Sequence, residues 1–169
     1  HKRIQINRMP EESQGGRIKR GIGVACMNHV SGNRAGENFD GSSVMIRFHE
    51  DGRLFVYSGE SDMGQGARTV FAQIVAEVMG IPINDTVIMP LDTDISPFCY
   101  GTYSSRVTTV GGKALYLATQ ELRKQFIELA AKVMEAEENN LTIKDGIVYD
   151  QLNPGNKKTV ADIAKIGIR

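Results

Sequence analysis

The sequence predicts an α+β domain in which a mixed β-sheet carries helices packed on one face. Strand-like runs occur singly and in hairpins, and segments with helical periodicity lie between them. The chain has 169 residues, which fits one domain, and 41% of its residues are hydrophobic, enough to form a core. We predict a linker or partner-packing segment over residues 1–19 and a partial domain over residues 20–169.

The first predicted elements are a single strand and a hairpin. Residues 20–30 form an apolar run with glycines that is typical of a strand, and Cys26 within it is expected to be buried. Residues 43–50 alternate between apolar and polar side chains, which predicts the first strand of the hairpin. Residues 53–59 form its second strand after an Asp-Gly turn. The apolar face of the first hairpin strand is formed by Val44, Ile46 and Phe48.

A helix and a further strand follow the hairpin. Apolar residues recur at helical spacing over residues 67–79, and Gly80 with Pro82 provides a stop signal. Residues 85–91 are predicted as a strand. The carboxylates in the Asp-Thr-Asp sequence at 92–94 suit either acid–base chemistry or a turn, and the turn is the more common structure.

The second half of the domain starts with a long helix. An apolar stripe predicts this helix over residues 113–137. Residues 141–149 form a hairpin around a second Asp-Gly turn, and residues 159–166 form a helix with Thr159 as its N-cap.

Residues 61–69 connect a strand to a helix and contain two glycines around one glutamine. A helix N-terminus presents unpaired N–H donors, and glycine allows a ligand to approach the backbone. Gly64, Gln65 and Gly66 therefore suit an anionic ligand rich in hydrogen-bonding groups. The alternative is an ordinary glycine-rich connection.

Residues 101–112 form a second polar loop before a helix. Hydroxyl groups and a guanidinium are natural phosphate partners, although serine and threonine also cap helices. Because apolar side chains are few over residues 103–108, we expect a ligand rather than packing to order this loop. The candidate residues of the loop are Ser104, Ser105, Arg106, Val107 and Thr108.

The two loops together resemble the molybdenum-cofactor domain of the xanthine dehydrogenase family. The resemblance rests on Met-Gly-Gln-Gly at 63–66, Asp-Thr-Asp at 92–94 and Gly-Thr-Tyr-Ser-Ser-Arg-Val-Thr at 101–108, in this order. The resemblance covers most of residues 20–150. The family includes aldehyde oxidoreductases, carbon monoxide dehydrogenases and hydroxybenzoyl-CoA reductases, and the second loop is most similar to that of the hydroxybenzoyl-CoA reductases.

The resemblance implies that this chain contributes loops to a molybdenum–molybdopterin cofactor, in the cytosine dinucleotide form that is usual in bacteria. Gln65 and its two flanking glycines would contact the pterin, and the five residues of the second loop would contact the pterin and its phosphate. The metal is bound by the dithiolene of the pterin and not by protein side chains. We therefore expect no protein metal ligand.

The resemblance also implies what other segments would supply. The family's catalytic glutamate lies in a segment without a counterpart here, so no catalytic residue is assigned. Iron–sulfur clusters and FAD would lie on other domains or subunits, and the remaining large subunit and a small-molecule substrate would be partners. Because the chain starts at His1 rather than Met, we expect it to be part of a larger polypeptide.

Other function classes fit the sequence less well. A stand-alone cofactor-binding or nucleotide-binding module and a structural subunit remain alternatives. A Rossmann-type domain would need a Gly-x-Gly-x-x-Gly run that is absent. Twenty basic and twenty acidic residues balance, which argues against nucleic acid, and no apolar run reaches membrane-spanning length. Without a visible export signal, a cytoplasmic location is expected.

Overall fold

Two small sheets form the β part of the described residues. The computed structural model describes residues 23–28 and 40–167. In the first sheet, β1 (Val44–Phe48) pairs antiparallel with β2 (Leu54–Ser58), which pairs parallel with β3 (Thr86–Ile88). In the second sheet, β4 (Leu141–Lys144), β5 (Ile147–Asp150) and β6 (Lys157–Thr159) are antiparallel neighbours.

Three α-helices lie in the part of the chain that the structure describes. They are α1 (Ala67–Met79), α2 (Gly112–Met134) and α3 (Val160–Gly167). A π-helical turn over Val107–Gly111 leads directly into α2, so the second candidate loop is continuous with the longest helix. Short 3-10 turns at Ile83–Asp85 and Glu138–Asn140 precede β3 and β4.

The core lies between the first sheet and the two long helices. α1 packs against α2 and β3, and α2 also packs against β1. Leu54 and Val56 of β2 are fully buried with Val75 of α1 and Leu115 of α2. Apolar side chains of the second sheet and α3 extend the same cluster. The burial of this face fixes the strand ends and helix starts that bear the two loops.

Most predicted elements are confirmed. The α+β class, both hairpins, α1 and the short final helix are present. β1 alternates in burial as expected, and the ring of Phe48 lies 4.8 Å from that of Phe126. Thr159 caps α3, because its Oγ1 accepts the backbone N–H of Asp162 at 3.1 Å. β6 and the separation of the strands into two sheets were not predicted.

Three predictions need correction. Residues 23–28, part of the predicted strand at 20–30, form no regular element and are exposed, so Cys26 is exposed rather than buried. α2 ends at Met134 instead of residue 137, because Glu135 adopts a left-handed conformation as its C-cap. The strand predicted at 85–91 is confined to residues 86–88, since Asp85 ends a 3-10 turn and residues 89–91 lie in no regular element. The predicted segment 1–19 lies outside the described residues.

Candidate functional site

The two candidate loops border one cavity of about 510 Å³. Residues of the first loop, before α1, face residues of the second loop, before α2. The two loops therefore approach the same side of the domain. The cavity is lined by Met63, Gln65, Thr102, Tyr103, Ser104, Ser105, Arg106, Val107 and Thr108.

Direct hydrogen bonds hold the two loops together beside the cavity. The backbone N–H of Ser61 donates to Thr102 Oγ1 at 2.9 Å. Thr102 Oγ1 in turn lies 3.0 Å from the carbonyl oxygen of Ser61, to which it donates, and 2.9 Å from the Ser61 hydroxyl. These contacts join positions 41 residues apart, so the cavity has two walls that are fixed relative to each other.

The carboxylate of Asp62 accepts hydrogen bonds from the backbone N–H groups that the sequence suggested would bind a ligand. Its Oδ1 accepts the N–H groups of Gly64 at 2.9 Å and Gly66 at 3.3 Å, and its Oδ2 accepts that of Arg68 at 3.1 Å. These bonds, chiefly those from Arg68 and Gly64, hold the pKa of Asp62 below its ordinary value. The chain thus supplies its own anion at the start of α1.

Both glycines of the first loop require a left-handed backbone, with φ of 97° at Gly64 and 82° at Gly66. A methyl group in place of either α-hydrogen would meet no atom within 4 Å, so conformation rather than space demands glycine here. Neither glycine lines the cavity, but together they set the direction in which Gln65 projects. Their expected contact with a cofactor remains a prediction.

Gln65 is exposed and folds back onto its own loop. Its Oε1 accepts the N–H of Met63 at 2.5 Å, and its Nε2 donates to the carbonyl oxygen of Ser61 at 3.0 Å. The amide therefore lies at the cavity wall with both polar ends already bonded. A ligand that hydrogen-bonds Gln65 would have to exchange with these two local partners.

Two consecutive serines in the second loop adopt an unusual backbone conformation. Ser104 and Ser105 have φ values of 50° and 56°, a region that L-residues other than glycine rarely occupy. Both line the cavity, and Ser105 is exposed. Left-handed residues of this kind concentrate at functional sites, where the surrounding structure must compensate for the strain.

Arg106 provides that surrounding structure, because its side chain is fully buried and bonded within the protein. Its Nε donates to Asp40 at 2.8 Å, and its Nη1 donates to Glu60 at 3.0 Å and to the carbonyl of Gly101 at 2.8 Å. Its Nη2 donates to the carbonyl of Gly41 at 2.5 Å. The guanidinium thus serves protein acceptors here, and its predicted contact with a phosphate gains no support from these contacts.

The positive charge of the Arg106 guanidinium is stabilised by its partners. Burial alone would lower the pKa of Arg106, but hydrogen bonding and the charges of Asp40 and Glu60 outweigh it and raise the pKa. Val107, the next residue, is also buried. The expectation that residues 103–108 have little packing of their own is therefore wrong, since a buried ion pair and one apolar side chain anchor them.

The remaining candidates have structural roles in the described residues. Asp92 Oδ1 accepts the N–H of Asp94 at 2.9 Å, which is the turn rather than the acid–base arrangement. Cys99, half-buried, donates its thiol to the carbonyl of Gly59 at 2.9 Å. Over 23–28 and 40–167, no group of three or more His, Cys, Asp or Glu side chains could hold a metal ion. Within the same ranges, no helix combines the length and apolarity needed to cross a bilayer.

Sequence reasoning missed three residues of this site. Glu60 and Asp40 are the carboxylate partners of Arg106. They lie 46 and 66 residues away from it in sequence, and no sequence pattern connects such distant positions. Asp62 had a usable signal, since an aspartate two residues before a glycine is typical of a side chain that bonds the following backbone. Its contact with the N–H of Gly64 follows from that pattern, whereas the contacts with Gly66 and Arg68 lie further along the chain.

The fold and the paired loops define a cofactor-binding domain, and comparison identifies its family. The profile of the molybdopterin cofactor-binding domain matches residues 2–168. The chain belongs to this family.

Similar proteins with assigned names agree with this family membership. The chain is 38% identical over 137 residues to the xanthine dehydrogenase molybdenum-binding subunit of Escherichia coli O157:H7, covering 80% of this chain and 18% of that protein. It is 33% identical over 127 residues to the carbon monoxide dehydrogenase large chain of Afipia carboxidovorans, covering 72% and 16%. The chain therefore spans less than a fifth of the length of these relatives.

Solved structures share the fold. Quinoline 2-oxidoreductase from Pseudomonas putida 86 aligns with a TM-score of 0.70 and 27% identity over 78% of this chain and 16% of its own. A Cu,Mo-CO dehydrogenase in the carbon monoxide reduced state aligns with a TM-score of 0.67 and 32% identity over 74% and 16%. The α+β architecture is therefore that of molybdenum-cofactor domains.

Proposed function

We propose that this chain is part of the large subunit of a molybdenum-dependent oxidoreductase and that its two loops hold the molybdopterin cofactor. The observation that carries the proposal is the single cavity of about 510 Å³ bordered by both motif loops. Family membership and relatives named as molybdenum-binding subunits support the choice of cofactor.

The residues around the cavity suit an extended polar ligand. Gln65 offers an amide donor and an amide acceptor, which matches the hydrogen-bonding edge of a pterin. Ser104, Ser105 and Thr108 add hydroxyl groups on the opposite wall, where they suit phosphate oxygens. We therefore assign Gln65 to the pterin and the second loop, including the backbone of Arg106 and Val107, to the pterin and its phosphate.

The protein groups orient the cofactor and do not perform its chemistry. When bound, the molybdenum centre supplies the redox chemistry that hydroxylates or reduces a carbon centre. Glu60 is fully buried and paired with Arg106, so we do not assign it as a catalytic base. The base belongs to another segment of the complete enzyme.

Further features of the enzyme are part of the proposal. We propose the cytosine dinucleotide form of the cofactor, iron–sulfur and flavin partners on other domains or subunits, and a cytoplasmic location. The other large-subunit segments would close the cavity, whose walls among the described residues come from the two loops. The substrate would be a small molecule bound mainly by those other segments.

The proposal is tested by cofactor content in the full-length protein. Gln65→Ala removes two hydrogen-bonding groups from the cavity wall, which weakens binding by about 1–3 kcal/mol when ligand groups lose their partners. Gln125→Ala is the matched control, because Gln125 lies exposed on α2, where its amide donates to the carboxylate of Glu121 one turn earlier. Molybdenum is measured by plasma mass spectrometry and pterin by fluorescence after release.

We expect both molybdenum and pterin to fall in Gln65→Ala and to stay at the wild-type level in Gln125→Ala. Release of cytidine monophosphate on hydrolysis would identify the dinucleotide form. Unchanged molybdenum and pterin in Gln65→Ala would contradict the proposed site. A wild-type protein that binds a nucleotide without molybdenum would instead identify a nucleotide-binding module.

A further inference from the structure

A buried ion pair joins the two loops at their base. Glu60 directly precedes the first loop at the end of β2, and Arg106 directly follows the two left-handed serines of the second. Glu60 Oε1 lies 3.0 Å from Arg106 Nη1, and both side chains have no exposed surface. A second carboxylate, Asp40, and two backbone carbonyls accept three further hydrogen bonds from the guanidinium.

Such a pair resists separation. A charge buried without its partner is strongly unfavourable, so neither loop can leave this arrangement without exposing or orphaning a charge. Arg106 donates from three different nitrogens, which fixes the orientation of its planar guanidinium as well as its distance. The ring of Tyr103, another cavity residue, lies with its centroid 5.8 Å from the guanidinium carbon.

The absence of a side chain at Gly111 leaves space for the side chain of Glu60. A β-carbon at Gly111, in the π-helical turn, would approach Glu60 Cγ to 2.9 Å and Glu60 Oε1 to 3.1 Å. The backbone of Gly111 is an ordinary right-handed helical one, so glycine is required here by space and not by conformation. Glu60 also accepts the hydroxyl of Ser42 at 2.7 Å.

We propose that Glu60 and Arg106 act as a positioning pair for the cofactor: they hold Ser104 and Ser105 in their left-handed conformation and fix the second loop opposite Gln65. The inference rests on the proposed function. It also gives Arg106 a role different from the phosphate contact that the family resemblance implies. The arginine acts through the loop it holds, and its side chain remains inside the protein.

The test compares four variants of the full-length protein. Glu60→Gln keeps the shape of the side chain and removes its charge, and Arg106→Lys keeps the charge and removes the planar fork. The double variant completes a double-mutant cycle, which measures the interaction between the two side chains. Arg53→Lys is the matched control, since Arg53 pairs with Asp51 on the exposed hairpin.

The first readout is amide hydrogen exchange over residues 102–108 in cofactor-free protein, with α2 as internal reference. We expect each single variant to accelerate exchange in this loop at least about tenfold with little change in α2. The double variant should resemble the more severe single variant, because both remove one interaction. Arg53→Lys should change nothing.

The second readout is molybdenum and pterin content. We expect it to fall in each variant whose loop exchanges faster. Unchanged loop exchange, or two single effects that simply multiply in the double variant, would overturn the pairing. Faster loop exchange with normal cofactor content would overturn the positioning role. Loss of cofactor in Gln65→Ala together with normal loop exchange in Glu60→Gln would leave the proposed function standing and remove this inference.

If the Glu60→Gln and Arg106→Lys variants fail to fold, Gly111→Ala provides a separate test of the inference. It removes no charged group but displaces Glu60 through its new methyl group. We expect the same acceleration over residues 102–108 and the same reduction in cofactor content. Exchange and cofactor content equal to wild type in Gly111→Ala would overturn the inference.

Discussion

The carboxylate of Glu60 and the guanidinium of Arg106 lie 3.0 Å apart with both side chains completely buried. This contact bridges 46 residues of sequence and joins the end of a strand to the loop before the longest helix. Since the two loops beside it line one cavity, the ion pair is a structural link between the two sequence motifs, in addition to the hydrogen bonds between Ser61 and Thr102.

Removing the arginine should therefore destabilise the domain far more than removing an exposed arginine. Arg106→Met leaves the buried carboxylate of Glu60 without the guanidinium and removes the bond from Arg106 to Asp40, and breaking a buried pair in this way costs about 3–5 kcal/mol. Arg53→Met, on the exposed hairpin, should cost no more than about 1 kcal/mol. Urea unfolding measures both, and equal losses would contradict the buried network.

The conformation of the first loop should depend on the charge of Asp62. The folded-state pKa of Asp62 is lowered, so its contribution to stability is complete above its unfolded value near 3.8 and is lost as pH falls through the folded pKa. The amide proton of Arg68 should shift in an NMR titration at acidic pH, below that unfolded value.

Asp62→Asn provides the comparison for this titration. The asparagine oxygen can still accept the N–H groups of Gly64 and Gly66, but its NH₂ group cannot accept that of Arg68. We expect severalfold faster exchange of the Arg68 amide at neutral pH and no acidic shift. An identical titration in both proteins would show that Asp62 does not cap the loop.

Gly80 should tolerate no side chain. Its φ is 73°, and a β-carbon there would collide with the carbonyl oxygen of Ile143 in β4. Gly80→Ala should cost at least about 2 kcal/mol, because the left-handed conformation alone costs an L-residue about 1–2 kcal/mol. At Gly155 the nearest atom is 3.6 Å away, so Gly155→Ala should be nearly neutral. Similar unfolding midpoints for the two variants would contradict the packing of β4 against the end of α1.

Local patterns predicted the elements whose determinants are local. Alternation located β1 and β2, Gly80 located the end of α1, and Thr159 located the start of α3. The two motif loops were also found from composition and order, and the structure places them on one cavity.

Features that depend on distant partners could not be predicted in this way. Arg106 is a residue type that is usually exposed, so its burial follows only from carboxylates 46 and 66 residues away. Cys26 lies in an apolar run, but an apolar run becomes a buried strand only when a partner strand or helix covers it. Over the described residues the segment 23–28 stays exposed.

The position of the cofactor tests the central claim most directly. An experimental structure of the full-length, molybdenum-loaded protein would show which atoms contact the pterin and its phosphate. We predict that the Gln65 amide contacts the pterin, that Ser104, Ser105 or Thr108 contacts the phosphate, and that the Arg106 guanidinium remains bonded to Glu60. A cofactor bound away from this cavity, with both loops unchanged, would contradict the account.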